Sequence, residues 1–225
     1  LTGVVQIDLW LWPLDCDAAE YGRRRALLTA AETARADRFV QDRDRVRYVS
    51  GRWRLREILS DLVGTAAPAL PLTAGPNGKP FLPGGPAFNL SHAAGWAVLV
   101  VTANPKVWLG VDIEGGRPVY PGLDERAFAP EERAALHAVD AASRDGAFFR
   151  GWTRKEAVVK ATGEGLRANL AGFAVTLDRD QPRLLRFDGD SPAAWRLHDF
   201  DPGHDLSGAI ACRTGGREIS VTRHT

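Results

Sequence analysis

Apolar and polar residues alternate over residues 4–12, where Gln6 and Asp8 separate Val5, Ile7 and Leu9, and that period of two predicts a strand. The pattern then lengthens. Thr29 and Glu32 have capping-box spacing and predict a helix that ends near Phe39. Val46, Val49, Trp53, Leu55, Ile58, Leu59 and Leu62 recur with helical spacing through a basic stretch that stops at Gly64. Residues 65–76, with Pro68, Pro71 and Pro76, predict an irregular connection, and Pro76-Asn77-Gly78 a turn before Lys79-Pro80 and a Pro/Gly loop up to Pro86.

Phe88-Asn89-Leu90-Ser91-His92 leads into a predicted strand over residues 96–101; Asn104-Pro105 breaks it, and residues 107–113 form the next one. Pro130-Glu131-Glu132 marks a helix start, with proline in the first turn. Phe148, Phe149, Trp152, Val158 and Val159 predict a second long helix, with Asp145 as its N-cap and Gly163 and Gly165 as its stop. Beyond Gly172 come short apolar runs around Phe173/Val175/Leu177 and at 184–187, 194–197, 206–212 and 219–221, each read as a strand. Helices and strands segregate in this way in α+β proteins. The break at Asn104 divides the chain into halves of residues 1–104 and 105–225, each running from helix to strand.

Composition adds little to that picture. The 225 residues are 44% hydrophobic and 25% charged, ordinary values for a globular protein with a real core. No apolar run approaches the roughly 18 residues of a membrane span, and no basic-then-apolar leader is evident; a cytoplasmic protein is expected. The chain starts at Leu1 and holds no Met, so its native start is expected upstream. Cys16 and Cys212 are too few for a disulfide framework and lack zinc spacing; both read as reduced structural thiols.

Charge is more informative in its distribution than in its net value of +1. Eleven arginines fall between Arg23 and Arg56, interleaved with Glu32, Asp37, Asp42 and Asp44, which reads mostly as a solvated helical face. Any excess positive field would favour a polyanion. Lysine occurs only at 79, 106, 155 and 160. A chain that otherwise uses arginine keeps the compact ammonium at these few places.

The candidate chemistry lies in two stretches. In Gly110-Val111-Asp112-Ile113-Glu114 the two acids are two apart on a strand, so both carboxylates share a face. Like charges so placed call for a cation between them, and magnesium binds through one or two carboxylates, water and phosphate oxygens. Glu156 is the natural third carboxylate. Glu156 and Lys160 are one helical turn apart; a surface ion pair would look the same. With a metal present, Lys155 and Lys160 would lie beside it, near a phosphate. Lys79, after a glycine turn, is a further candidate ligand contact, whereas by spacing alone His92 reads as structural. No dinucleotide fingerprint, Walker loop or nucleophile elbow occurs. The residues alone point to a magnesium-dependent enzyme acting on a phosphorylated ligand. A nucleotide phosphohydrolase, or a binding module built on residues 23–56, remains open at this level.

Four stretches in order, Gly78-Lys79-Pro80, Phe88-Asn89-Leu90-Ser91-His92, Gly110-Val111-Asp112-Ile113-Glu114 and Trp152-Thr153-Arg154-Lys155-Glu156-Ala157-Val158-Val159-Lys160, resemble the 4′-phosphopantetheinyl transferases of the surfactin-synthetase-activating type. The likeness runs from about Arg35 to Cys212. It implies a pseudo-dimer of two similar α+β halves with the active site in the cleft between them, in a monomer. Residues 1–104 would bind coenzyme A, and residues 105–225 would hold magnesium and dock the carrier protein. The implied reaction moves the phosphopantetheine arm of coenzyme A to a serine of an apo acyl or peptidyl carrier protein and releases adenosine 3′,5′-bisphosphate. The carrier could serve fatty acid, polyketide or nonribosomal peptide synthesis. Asp112, Glu114 and Glu156 would hold Mg2+, and Lys160 would assist the leaving group; on charge grounds Glu156, or a water it orients, is the candidate base. Arg47, Lys79, Ser91 and His92 would contact coenzyme A. Ala157 stands where many relatives have serine. The resemblance brings in neither a nucleic acid nor a membrane, and residues 163–169 and the helix from Pro130 are where a carrier is expected to dock.

Overall fold

Strand β1 (Val5–Pro13) opens the chain, and its alternate residues Val5, Ile7 and Leu9 are buried. The computed structural model describes residues 3–75, 77–115, 118–165 and 168–224. Two short helices follow, α1 (Ala18–Arg25) and α2 (Ala30–Ala36). The first was not apparent from periodicity; Asp17 caps it by accepting from the Glu20 N–H at 2.8 Å. The second carries the expected capping box between Thr29 and Glu32. Helix α3 (Asp42–Val63) runs through the basic stretch and ends at Gly64, whose φ of 67° is the left-handed turn that glycine permits.

The proline-rich connection holds a small hairpin, β2 (Thr73–Ala74) with β3 (Pro80–Phe81). Then come β4 (Ala87–Ala93), β5 (Trp96–Thr102) and β6 (Trp108–Gly115). The second half continues with α4 (Leu123–Ala127), α5 (Pro130–Ala138) and α6 (Arg144–Thr162). Five strands end the chain: β7 (Phe173–Val175), β8 (Leu184–Phe187), β9 (Trp195–Phe200), β10 (Leu206–Arg213) and β11 (Ile219–His224). Helix α6 begins earlier than the expected cap: Asp145 lies inside its first turn and Ser143 takes the N-cap position without a side-chain bond. Inside the first turn the Asp145 charge favours the helix dipole.

Two sheets are central. The first has strand order β11-β1-β5-β4 and the second β6-β10-β9. One face of each packs on the other, with Ile7, Leu9, Val98 and Val100 meeting Leu109, Val111, Ile113 and Ile210. Helix α3 covers the outer face of the first sheet, through Leu55, Ile58 and Leu59 against Trp12, Leu99 and Val101. Helix α6 covers the outer face of the second, through Val158 and Ala161 against Trp195, Leu197, Ala209 and Ala211. The layers therefore run helix, sheet, sheet, helix.

The expected division at residues 104 and 105 does not hold for the last strand. β11 returns to the first sheet and pairs in parallel with β1, from Val5 opposite Ile219 to Trp10 opposite His224. Side chains reinforce the pairing, since His224 stacks on Trp10 and lies 2.7 Å from Asp8. Among the described residues no helix is long and apolar enough to cross a membrane.

Candidate active site

The edges of the two sheets meet where β4 lies beside β6. The buried Asn89 side chain accepts from the Val111 N–H at 2.9 Å, so an amide from one sheet satisfies the edge of the other. One step along, Ser91 Oγ donates to Asp112 Oδ1 at 2.9 Å. Strand alternation does the rest. Leu109, Val111 and Ile113 enter the core between the sheets, which leaves Gly110, Asp112 and Glu114 on the face towards α6.

Helix α6 approaches that face very closely. A Cβ at Gly110 would stand 2.0 Å from the Ala157 carbonyl oxygen and 2.5 Å from the Ala161 nitrogen. Only glycine lets strand and helix backbones touch there. The contact sets one stripe of the helix, Trp152, Glu156 and Lys160 at successive turns, over the acidic strand. These three side chains, with Ser91, Asp112 and Glu114, line a cavity of about 380 Å³.

Inside it Lys160 Nζ lies 2.6 Å from Asp112 Oδ1 and 2.7 Å from Ser91 Oγ. Burial raises the Asp112 pKa, against the opposing pull of Lys160 and Ser91. Glu156 is raised as well, by burial first and by the negative charges of Asp112 and Glu114 next. At the rim, partial desolvation and then the Lys160 ammonium lower the His92 pKa. Asp112 Oδ2 is buried with no hydrogen-bond partner among the described residues. Three hard oxygen donors, one of them orphaned, suit a divalent cation bound through carboxylates and water. In this conformation no three acidic, histidine or cysteine side chains among the described residues close around a common ion; the Lys160 ammonium sits against Asp112 instead.

His92 also lines a larger cavity, of about 610 Å³, that opens beside the first. Its far wall is α3, which presents Asp44, Arg47, Tyr48, Gly51 and Arg52. Their spacing of three and four is a polar stripe down one helix face, and that stripe was the readable signal for Arg52. Arg35 joins them from α2. Arg47 is held by two parallel bonds to Asp15, Nε to Oδ1 at 2.7 Å and Nη2 to Oδ2 at 2.8 Å. Arg52 is held by Glu32 at 2.7 Å. Arg35, Arg52, Asp15 and Trp152 are site residues that the sequence reading does not name as such; Trp152 enters it only as an apolar helix position and a motif residue.

Six expected residues thus share one cavity, Ser91, His92, Asp112, Glu114, Glu156 and Lys160, and Arg47 lines its neighbour. Two lie elsewhere. Lys155 points away from the site, where its ammonium is buried 2.6 Å from Glu132 Oε2 and 2.7 Å from the Phe173 carbonyl. One residue along a helix is a rotation of about 100°, so Lys155 cannot share the face of Glu156. Lys79 turns its ammonium to backbone carbonyls of Leu109, Lys160 and Ala161 and away from both cavities. Of the residues expected to dock a carrier, α5 is formed, and Leu166 and Arg167 lie outside the described residues.

Residues 109–212 match the 4′-phosphopantetheinyl transferase superfamily, and residues 15–104 match the N-terminal family of 4′-phosphopantetheinyl transferases. The 4′-phosphopantetheinyl transferase HetI of Nostoc sp. is 32% identical over 213 residues, 92% of this chain and 87% of that protein. The Sfp transferase of Bacillus subtilis is 27% identical, with 84% of each chain covered. A holo-[acyl-carrier-protein] synthase structure from Thermotoga maritima overlaps 48% of this chain and 62% of its own at a TM-score of 0.39 and 16% identity. By the likeness to HetI over 92% of its length, and by the two matched segments, the chain belongs to the 4′-phosphopantetheinyl transferases.

Proposed function

We propose that the chain transfers the 4′-phosphopantetheine arm of coenzyme A to a serine of an apo acyl or peptidyl carrier protein, in a magnesium-dependent reaction that releases adenosine 3′,5′-bisphosphate. The observation that carries this reading is the junction at His92 of an arginine-lined cavity with an acidic one. A long polyanion with phosphates at one end and a reacting diphosphate in the middle suits that pair of cavities.

In this reading Arg35, Arg47 and Arg52 hold the phosphate-rich nucleotide end, and Asp15 and Glu32 keep two of those guanidinium groups aimed. Ser91 and His92 meet the diphosphate at the junction. Asp112, Glu114 and Glu156 are the residues that would hold magnesium, and the orphaned Asp112 Oδ2 favours that assignment. Bound there, the ion would supply charge neutralisation for the diphosphate. The carrier serine Oγ attacks the β-phosphorus, and Glu156, directly or through one water, accepts its proton. The bond from that phosphorus to the bridging oxygen breaks, and the oxygen leaves on the adenosine bisphosphate. Lys160 donates to the departing oxygen, which carries the developing negative charge.

The layered architecture is consistent with two similar α+β halves, each a sheet under one long helix, with the site where their edges meet. The first would serve coenzyme A, and the second magnesium and the carrier, docked near α5 and residues 163–169. Intact-mass measurement on several apo carrier proteins, incubated with coenzyme A and magnesium, tests the proposal. A gain of one phosphopantetheine on at least one carrier is expected. Consumption of coenzyme A without any acceptor would indicate a hydrolase, and no mass gain on any carrier would overturn the assignment.

A further inference from the structure

The C-terminal end of α6 is closed from the other half of the chain. A helix leaves its last carbonyls without intrahelical donors, and here most have named partners. The Val159 carbonyl accepts from Gly163 N–H at 3.0 Å. The next two, of Lys160 and Ala161, accept from Lys79 Nζ at 2.6 and 3.4 Å. The Gly163 carbonyl accepts from Asn77 Nδ2 at 2.8 Å. Asn77 and Lys79 belong to the loop that joins β2 to β3, more than eighty residues earlier.

Lys79 makes a third bond, to the Leu109 carbonyl at 2.9 Å. Leu109 precedes Gly110, where α6 touches β6. One ammonium therefore ties the strand that bears Asp112 to the helix turn that bears Lys160, at the point of their closest approach. A cation at a helix C-terminus is favourable on dipole grounds as well. Lys79 has no carboxylate partner among the described residues, and its burial lowers its pKa to about 8.

We infer that Lys79 is a positioning residue: with Asn77 it closes the end of α6 across the two halves and so sets Lys160 against Asp112 and Ser91, rather than binding a coenzyme A phosphate. The inference rests on the transfer reading only for the chemical task of Lys160. The experiment pairs the variants Lys79→Met and Asn77→Ala with wild type. Calorimetry gives the coenzyme A affinity, steady-state transfer gives kcat and KM, and amide hydrogen exchange follows residues 159–165.

For Lys79→Met the expected result is a fall in kcat of about 10- to 100-fold, because a small displacement of a reacting group is that costly. Coenzyme A affinity stays within about threefold of wild type, and exchange at the end of α6 speeds up. Asn77→Ala, which removes one of the four bonds, follows the same direction with a smaller loss and covers the case in which Lys79→Met does not fold. A drop in coenzyme A affinity of about tenfold or more with kcat kept and exchange unchanged would mark Lys79 as a phosphate ligand and overturn the inference. If wild type transfers to no carrier, the functional reading fails by itself, while unaltered exchange at residues 159–165 in both variants would independently sink the closure.

Discussion

The Ala157 carbonyl oxygen lies where a Cβ on Gly110 would be 2.0 Å away, so the helix that bears Glu156 and Lys160 rests on the backbone of the strand that bears Asp112. The placement of a base candidate and a cation over two carboxylates follows from this one contact. A methyl group at Gly110 would meet the backbone of two successive turns of α6, with no flexible side chain to give way.

Gly110→Ala is therefore expected to lift α6 from β6. Overpacking of this kind costs about 3 kcal/mol, which at this chain length lowers Tm by about 6–12 °C. Transfer activity should fall further than the folded fraction does, because Glu156 and Lys160 move together. Thermal melts followed by circular dichroism, with activity normalised to folded protein, check both parts. A variant with wild-type Tm and activity would show that the helix can retreat freely.

Glu132 and Lys155 form a second fixed point of α6, on its far side. Glu132 accepts from Ala129 N–H at 2.7 Å, Val175 N–H at 2.8 Å and Lys155 Nζ at 2.6 Å, and both charged side chains are buried. Burial pushes the glutamate pKa up and the lysine pKa down, and each charge opposes the shift of the other. Removing one partner strands the other, so Glu132→Leu should destabilise by about 3–5 kcal/mol. Adding Lys155→Met should recover part of that loss, since two backbone N–H groups remain without their acceptor. Lys155→Met alone should leave coenzyme A and magnesium affinity within about twofold of wild type. Denaturant titration and calorimetry read these values; a large loss of coenzyme A affinity in Lys155→Met would return this lysine to the phosphate site.

Much of this pocket is readable from local rules. Alternation along β6 puts Asp112 and Glu114 on one face, and helical spacing puts Glu156 and Lys160 on one stripe, so short-range geometry suffices for four of its residues. The same spacing rule, applied to residue 155, already separates Lys155 from Glu156 by a quarter turn and more. Lys79 is different: three carbonyls from two elements receive it, and such partners exist only once the chain is folded. The parallel pairing of β11 with β1 joins residues 214 apart, and no local pattern encodes it. Arg52 is one of eleven arginines in its stretch, and only its place on the polar stripe of α3 with Asp44, Arg47, Tyr48 and Gly51 sets it apart.

Acid should act on the arginine-lined cavity through Glu32. Burial raises the pKa of this carboxylate, but Arg56, the Thr29 backbone and Arg52 outweigh it, and the net shift is downward. A carboxylate with a lowered folded pKa stabilises the protein above its ordinary value of 4.5 and loses that contribution as pH falls through the folded value. Stability should therefore decline as pH drops below about 4.5, and Glu32→Gln should flatten that part of the profile while lowering stability at neutral pH. Because Glu32 also holds Arg52 at 2.7 Å, the variant should weaken coenzyme A binding. Urea midpoints from pH 3 to 7 decide it: an acid limb of unchanged slope in Glu32→Gln would assign the decline to other groups.

Glu156→Gln separates binding from chemistry. The amide keeps the size of the side chain and its place beside Trp152 and Lys160, but it neither accepts a proton at neutral pH nor offers a negative oxygen to a cation. The nucleotide end of coenzyme A, in the proposed arrangement, meets Arg35, Arg47 and Arg52 in the other cavity, and none of these touches residue 156. Transfer should fall by about 100-fold or more, while coenzyme A affinity without magnesium stays within about threefold. In the proposed arrangement magnesium should raise the coenzyme A affinity of wild type, and that increase should shrink in the variant, since one of three carboxylates is gone. Calorimetry with and without magnesium, beside intact-mass assays on an apo carrier, separates these effects. Full transfer activity would remove Glu156 from the chemistry and leave it to the other carboxylates that line the cavity, Asp112 and Glu114.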